Sequence, residues 1–459
     1  MRRIVSLLLV LILAWSGAAG ALISPEEEAR LGRRILAQIR ERAEILDDPE
    51  VTDYLESIAR RLTPWVGPRY FPFRFYVVKN PTLNAFALPG GYIFFTSGLI
   101  EEVDREDELA AVMAHEMAHI QARHVARRME VLKRLQLATG AVTLAGLLLG
   151  GGKTGGALAV TSTSLALTRA LAYSRAEEEE ADRLGFEYLT RAGYDPGAFL
   201  SILQKIVRHR WLLTETGPNY LLTHPAPPER ITYLETLVKR YHRAHPSASY
   251  RPTDPLYLRR IQVRVKVETH DPGLLVMRYR EALKYSPDDP MLHYGLGMAL
   301  ARARFFREAI KELRQTVRQF PKKDYFRLDL AEVYFRAGYY PQAREVLEDY
   351  LSRHPKDTWA LWILARTYQE EHLWKKAWPI FQDLAHKLDN FPDFHYYYGY
   401  LLSQMGREGE AHYQFARYFN LQGDTRVALY HFRKALKFLP SDSPLRRKIR
   451  EKLQASPKS

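Results

Sequence analysis

The stretch Val112–His124 reads VMAHEMAHIQARH, and its reading decides how the first half of the chain folds. His115 and His119 are four residues apart, so on a helix both rings leave the same face. Glu116 sits directly beside the first of them. This is the H-E-x-x-H arrangement, in which two imidazoles hold zinc and the glutamate activates a water. The plainer alternative is the solvated face of an ordinary helix. Leu109, Val112, Met113 and Ile120 surround the motif with apolar side chains and place it in a core. Two histidines and a glutamate buried there need partners, and a metal ion supplies them.

Working outward, the periodicity predicts a long helix from Glu106 to about Gln136. Before it, FRFYVVK (Phe73–Lys79) and GYIFFTS (Gly91–Ser97) read as strands, joined through a turn at Pro89-Gly90-Gly91. Earlier still, Ser24, Pro25 and Glu27 form a capping box with proline in the first turn, and Asp48-Pro49 opens a second helix. After the motif, residues 137–170 are apolar, Gly-rich and almost uncharged. Each half of that stretch is too short to span a bilayer. A buried hairpin, a segment dipping into a membrane surface and a lid over the metal are the alternatives, with the lid preferred. A helix from about Ala176 to Ala192 follows, within SRAEEEEADRLGFEYL (Ser174–Leu189). A catalytic zinc takes three protein ligands and keeps one position open. The third ligand is expected here, on Glu177 or Glu178, and spacing alone does not choose between them.

The 459-residue chain begins MRRIVSLLLVLILAWSGAAGALIS. Two arginines, the apolar run Ile4–Trp15 and Ala19-Gly20-Ala21 read as a signal peptide over residues 1–21, cleaved on export to the periplasm. There is no cysteine, so neither disulfides nor a lipid on Cys is available, and the cores must suffice alone. The net charge is +14. In an exported chain this does not point to nucleic acid. It fits a generally basic surface, or affinity for anionic lipid or acidic proteins, including peripheral membrane contact.

The second half is periodic. Ala309, Ala343, Ala377 and Ala411 recur at intervals of 34 residues, as do Pro287, Pro321 and Pro355, and Gly297, Ala331, Ala365 and Gly399. This is the tetratricopeptide pattern of stacked helix pairs, with small residues where the helices cross. Leu274–Tyr285 leads as a half-unit, and Ala428, Phe432, Ala435 and Pro440 close as another. The predicted fold is therefore mainly α with a small β-sheet. A zincin-like metallopeptidase domain spans 22–246, with a connection over 247–271 containing the strand-like IQVRVKVE. An α-solenoid of repeats spans 272–440, and a basic tail spans 441–459.

HEMAHIQARH followed by SRAEEEEADRLG, with NAFALPGGYIFFTSGL upstream and THPAPPERI downstream, resembles the HtpX and CAAX-protease type of zinc peptidase. With a leader before and repeats behind, the chain resembles the BepA-like periplasmic branch. The resemblance implies that Glu178 is the third ligand and that Asp182, one turn on, supports a ligand histidine. It also implies quality control of outer-membrane proteins, with the repeats docking on assembly machinery or substrate.

The expected chemistry is peptide hydrolysis with one zinc ion per chain. His115, His119 and Glu178 hold the metal, and Glu116 takes a proton from the water and passes it to the leaving amine. His224 and Arg230, in THPAPPER, are candidates for an oxyanion donor or a substrate contact. His224 is alternatively a fourth, capping ligand or a structural loop residue, and Arg230 alternatively an ion-pair residue. His124 is expected outside the ligand set. The substrate is expected to add as a strand along GYIFFTS, read as a sheet edge. The expected function is a periplasmic endopeptidase for misfolded or misassembled envelope proteins. Its rivals are a repeat-based chaperone or adaptor with a latent, His-capped site, and a lipid-facing activity through residues 137–170.

Overall fold

The computed structural model describes residues 23–134, 172–212, 220–225 and 228–455. The leader and the Gly-rich segment 137–170 lie outside the described residues, and so do the readings placed on them. The chain divides into two compact units, 1–270 and 271–459.

The first unit opens with α1 (Pro25–Arg42) and α2 (Pro49–Leu62). Ser24 and Glu27 satisfy each other's backbone donors at 3.2 and 3.1 Å, and Asp48 accepts from Glu50 and Val51 at the start of α2. The sheet that follows has three strands, β1 (Arg74–Val78), β2 (Ala85–Leu88) and β3 (Tyr92–Thr96), in the order β1-β3-β2. β3 pairs parallel with β1 and antiparallel with β2. This corrects the reading of GYIFFTS as a sheet edge: it is the central strand. The four-residue β2 was hidden inside NAFALPGG, where Gly90 and Gly91 take φ of 84° and 88° to turn the chain back. Both faces of β3 are covered, which explains its unbroken apolar sequence. Phe94, stacked between Tyr76 and Phe86, faces Ile35 and Ile39 of α1. Ile93 and Phe95 face the larger core on the other side.

Next come α3 (Ser97–Glu102), α4 (Glu106–Gln121), α5 (His124–Arg134), α6 (Arg175–Arg191), α7 (Gly197–Leu212), the single turn α8 (Tyr220–Thr223), α9 (Pro228–Ala244) and α10 (Pro255–Thr269). The helix expected over 106–136 is broken. Arg123 adopts φ 57°, a left-handed conformation that is costly for a side-chain-bearing residue. Its guanidinium is anchored on Ile23 O at 2.7 Å and Glu28 at 3.0 Å, which holds the break in place.

The strand-like IQVRVKVE is also corrected: it lies in helix α10. Its period-two alternation arises because the helix is buried on several sides, with Ile261 and Val265 in the main core and Arg260 and Arg264 buried as well. The two arginines pair with Glu50 at 2.5 Å and Asp48 at 2.8 Å, at the start of α2. Residues 255–269 thus belong to the core of the first unit.

The second unit is a run of helices: α11 (Pro272–Tyr285), α12 (Pro290–Arg302), α13 (Phe306–Gln319), α14 (Asp324–Arg336), α15 (Tyr340–Arg353), α16 (Thr358–Glu370), α17 (Trp374–Leu384), α18 (Pro392–Gln404), α19 (Glu408–Leu421), α20 (Thr425–Phe438) and α21 (Pro444–Ala455). The repeating alanines Ala309, Ala343, Ala377 and Ala411 are buried where paired helices cross, as the 34-residue pattern predicts. The basic stretch after residue 440 forms α21, which buries Ile449 against Phe432 and Ala435. No helix among the described residues is long and apolar enough to cross a membrane.

Candidate metal centre

α4 carries His115, Glu116 and His119 into the core, and α6 crosses it so closely that a Cβ on Gly185 would stand 3.1 Å from His115 N. That approach brings Glu178 to the histidines. The short segment after α8 adds His224. One potential ligand atom from each of His115, His119, Glu178 and His224 lies within 4.8 Å of the others, and all four residues are buried. His115 Nε2 stands 3.0 Å from His119 Nε2 and 3.3 Å from His224 Nδ1. Glu178 Oε1 lies 2.9 Å from His224 Nδ1 and 3.4 Å from His119 Nε2.

The surroundings fix which ring atoms face inward. His115 Nδ1 stands 3.0 Å from Asp182 Oδ1, which leaves Nε2 to the centre. His119 Nδ1 lies 3.0 Å from His124 Nδ1, whose Nε2 reaches Glu180 at 3.1 Å. Asp182 receives Arg230 through Nε and Nη2, both at 2.7 Å. Arg230 Nη1 meets Glu178 and also donates to Pro225 O at 3.2 Å. The arginine weighed as an oxyanion or substrate donor is therefore engaged inside the protein, in the ion pair that was its alternative. Glu177 belongs to the capping box of α6 and pairs with Arg128 at 2.7 Å, while Glu178 enters the cluster.

The electrostatics are polarised. Burial pushes Glu178 upward, but His224 and Arg230 outweigh it and hold the carboxyl well below its ordinary value. Burial likewise raises Asp182, and Arg230 more than reverses it. Burial drives His119 well below the usual imidazole range. His115 also feels burial, but Asp182 and Glu178 raise its basicity overall. Glu116 is fully buried and pushed up by that burial, against the opposing pull of His224 and His115.

Two features test the fit to a metal. Three imidazole nitrogens and a carboxylate oxygen converge on one point, where unshared lone pairs would repel without a cation. Both carboxylate oxygens of Glu116 are buried without a hydrogen-bond partner. Nitrogen and carboxylate donors in this number suit a divalent ion such as zinc. The residues fit.

Two aromatic residues were missed in the sequence. Tyr173 stacks on His119 at 3.9 Å, and Tyr220 stacks on His224 at 4.3 Å and 10°. The four-residue spacing of Tyr220 and His224 was the available signal. A mostly apolar cavity beside the centre is lined by Phe86, Leu88, Val125, Met129, Tyr173 and His224, with Arg128 and Thr223 also on its wall.

This geometry agrees with comparison against known proteins. Residues 49–238 match Peptidase family M48, and residues 303–366 match the tetratricopeptide repeat family, so the chain carries an M48 peptidase domain followed by tetratricopeptide repeats. Among curated relatives, the Beta-barrel assembly-enhancing protease of Yersinia pestis is 35% identical over 234 residues, covering 50% of this chain and 48% of that one. The protein of the same description from Escherichia coli (strain K12) is 35% identical over 216 residues, covering 47% and 44%. The Mitochondrial metalloendopeptidase OMA1 of Schizosaccharomyces pombe is 29% identical over 188 residues, covering 40% and 52%. The chain spans about half the length of these relatives.

Proposed function

We propose that the protein is a periplasmic zinc-dependent endopeptidase that hydrolyses misfolded or misassembled envelope proteins, with its repeats recruiting substrate or assembly machinery. The observation that carries this reading is Glu116, wholly buried with both oxygens unpartnered, set among three imidazoles and Glu178. The names of the relatives in Yersinia pestis and Escherichia coli support β-barrel proteins as the substrate context.

In this reading His115, His119 and Glu178 hold the ion. Zinc, when bound, supplies Lewis-acid activation of water and of the scissile carbonyl. Glu116, kept basic by burial, accepts the proton and returns it to the leaving amine. Asp182 and His124 fix the rings of His115 and His119 from behind. Arg230 locks Asp182 and Glu178 and acts as a positioning residue. An extended substrate pairs along β2, the edge strand packed on α4, and places an apolar side chain in the adjoining cavity.

His224 supports a second feature. Its Nδ1 lies within ligand range of the centre and its Nε2 is 3.6 Å from Glu116, so it occupies the position a substrate would need. The enzyme rests in a capped state and acts when this segment withdraws. Metal analysis of the mature chain and of Glu178→Ala, with chelator-sensitive casein cleavage by the wild type, Glu116→Gln and His224→Ala, tests the whole scheme. Absence of bound zinc, or of any cleavage in both the wild type and His224→Ala, refutes the peptidase and leaves the adaptor reading.

A further inference from the structure

The last stretch of the second unit is charged out of proportion to its size. Residues 425–450 hold eight basic side chains and one acidic one, Asp442. Their net charge of +7 is half of the chain's +14, so these 26 residues carry as much as the other 433. Burial decides where that charge lies. α20 turns Ala428, Phe432 and Ala435 inward, and Ile449 of α21 joins them. Arg426, Tyr430, Arg433 and Lys437 follow at helical spacing on the opposite, exposed side of α20. Arg447, Lys448 and Arg450 are exposed on α21. Arg446 differs from these: its Nη1 donates to Leu436 O at 2.5 Å and to Leu439 O at 2.8 Å, which pins α21 to the end of α20. Among the described residues none of the six exposed cations forms an ion pair. Elsewhere in the unit surface arginines are matched, as Arg353 is with Asp324 and Arg417 with Asp389, both at 2.9 Å. Two large rings stand among the cations. Tyr430 is 53% exposed and Phe438 48%, and Lys434 Nζ lies 5.7 Å from the Tyr430 centroid.

We propose that the α20–α21 end of the repeat unit docks on an anionic phospholipid surface. Six unmatched like charges on two short helices set up a positive field that an external sheet of negative charge relieves. The field acts over about a Debye length, roughly 10 Å, so the two helices need not present one flat face to contribute together. The cations sit on long, solvated side chains with no desolvated anchor at their centre. That suits diffuse headgroup charge better than an acidic protein, whose interface would want few charges in its core. Tyr430 and Phe438 add rings that settle at headgroup depth, as aromatic side chains do beside lysine and arginine on membrane-surface helices. The inner sides of α20 and α21 stay packed on each other, so the contact is peripheral and reversible. This goes beyond the proposed function and does not depend on it.

The test is co-sedimentation of the full mature chain with vesicles of phosphatidylcholine alone, and of phosphatidylcholine carrying phosphatidylglycerol at about one part in three. Anionic vesicles take the chain down at about 0.1 M salt and release it at about 0.5 M, and neutral vesicles take it down at neither. Arg433→Gln with Lys437→Gln, and separately Arg447→Gln with Lys448→Gln and Arg450→Gln, each weaken binding about tenfold or more. Tyr430→Ser with Phe438→Ser weakens it about threefold or more. Lys239→Gln with Arg243→Gln, on α9 of the first unit, leaves it within about twofold. Circular dichroism and casein cleavage stay unchanged throughout. Equal pelleting with both kinds of vesicle, or pelleting that survives the higher salt, overturns the proposal. So does a loss on α9 as large as those on α20 and α21, or wild-type binding by the α20 and α21 variants. Absence of pelleting with anionic vesicles also overturns it, and leaves an acidic protein as the counterpart of the charge. Loss of casein cleavage in the wild type would bear on the peptidase alone, since none of these residues lies in the metal centre.

Discussion

His119 Nδ1 stands 3.0 Å from His124 Nδ1 although the two are five positions apart in the chain. On an unbroken helix five steps would carry His124 to another face. The left-handed turn at Arg123 brings it back behind His119, where Glu180 holds its other nitrogen. The group that engages the second ring nitrogen of a metal-ligating histidine fixes that ring's tautomer and orientation, and here His124 takes that place. His124→Ala should therefore lower zinc affinity about tenfold to a hundredfold without removing a ligand. Competition with a chelating dye measures this, and an unchanged affinity would show that His124 only packs.

Glu116→Gln should lower casein cleavage by about two to four orders of magnitude while zinc stays stoichiometric. The substitution also replaces a buried, unpartnered carboxylate by a neutral amide, so the metal-free protein should melt no lower than the wild type. Cleavage at the wild-type rate would assign the base elsewhere.

Removing His224 should raise activity. If the ring caps the centre, His224→Ala should cleave casein several-fold faster than the wild type and bind zinc somewhat less tightly. A fall in rate with unchanged zinc affinity would instead make His224 a contributor to turnover.

Acid should unlock the site through Asp182. Its folded value is held below the ordinary one, so its contribution is fully present above the unfolded value of about 4 and is lost as pH falls through the folded value. Melting curves of chelated wild type and Asp182→Asn should differ at pH 6 to 7, and the difference should shrink as the pH is taken below about 4. A constant gap across that range would mean that the charge of Asp182 contributes nothing.

Arg264→Ala removes one partner of a buried ion pair and leaves the Asp48 carboxylate with only the backbone N–H groups of Glu50 and Val51 at the start of α2. The first unit should lose about 3 to 5 kcal/mol, read by denaturant unfolding. Were residues 255–269 a loose connection, the loss would stay near zero.

What could be read from the amino-acid order depended on how local the determinant was. His115, Glu116 and His119 were legible because a single helix carries all three. The repeats were legible because Ala309 to Ala411 keep one period. Glu178 needed a resemblance, because two adjacent acids fit the spacing equally and only the crossing at Gly185 separates them. The short β2 went unseen because four residues carry little periodicity. α10 was misread because β-branched Val263, Val265 and Val267 favour a strand, and the packing of Arg260 and Arg264 against α2 overrode that preference. Tyr173, Tyr220 and the place of His124 depend on chain reversals that no local pattern announces.

Arg230 joins two parts of the centre that would otherwise answer separately. The same guanidinium grips Asp182 behind His115 and the carbonyl of Pro225 just past His224. If His224 caps the centre as proposed, its withdrawal would pull on the brace of a ligand and couple uncapping to the His115 ring through a single side chain.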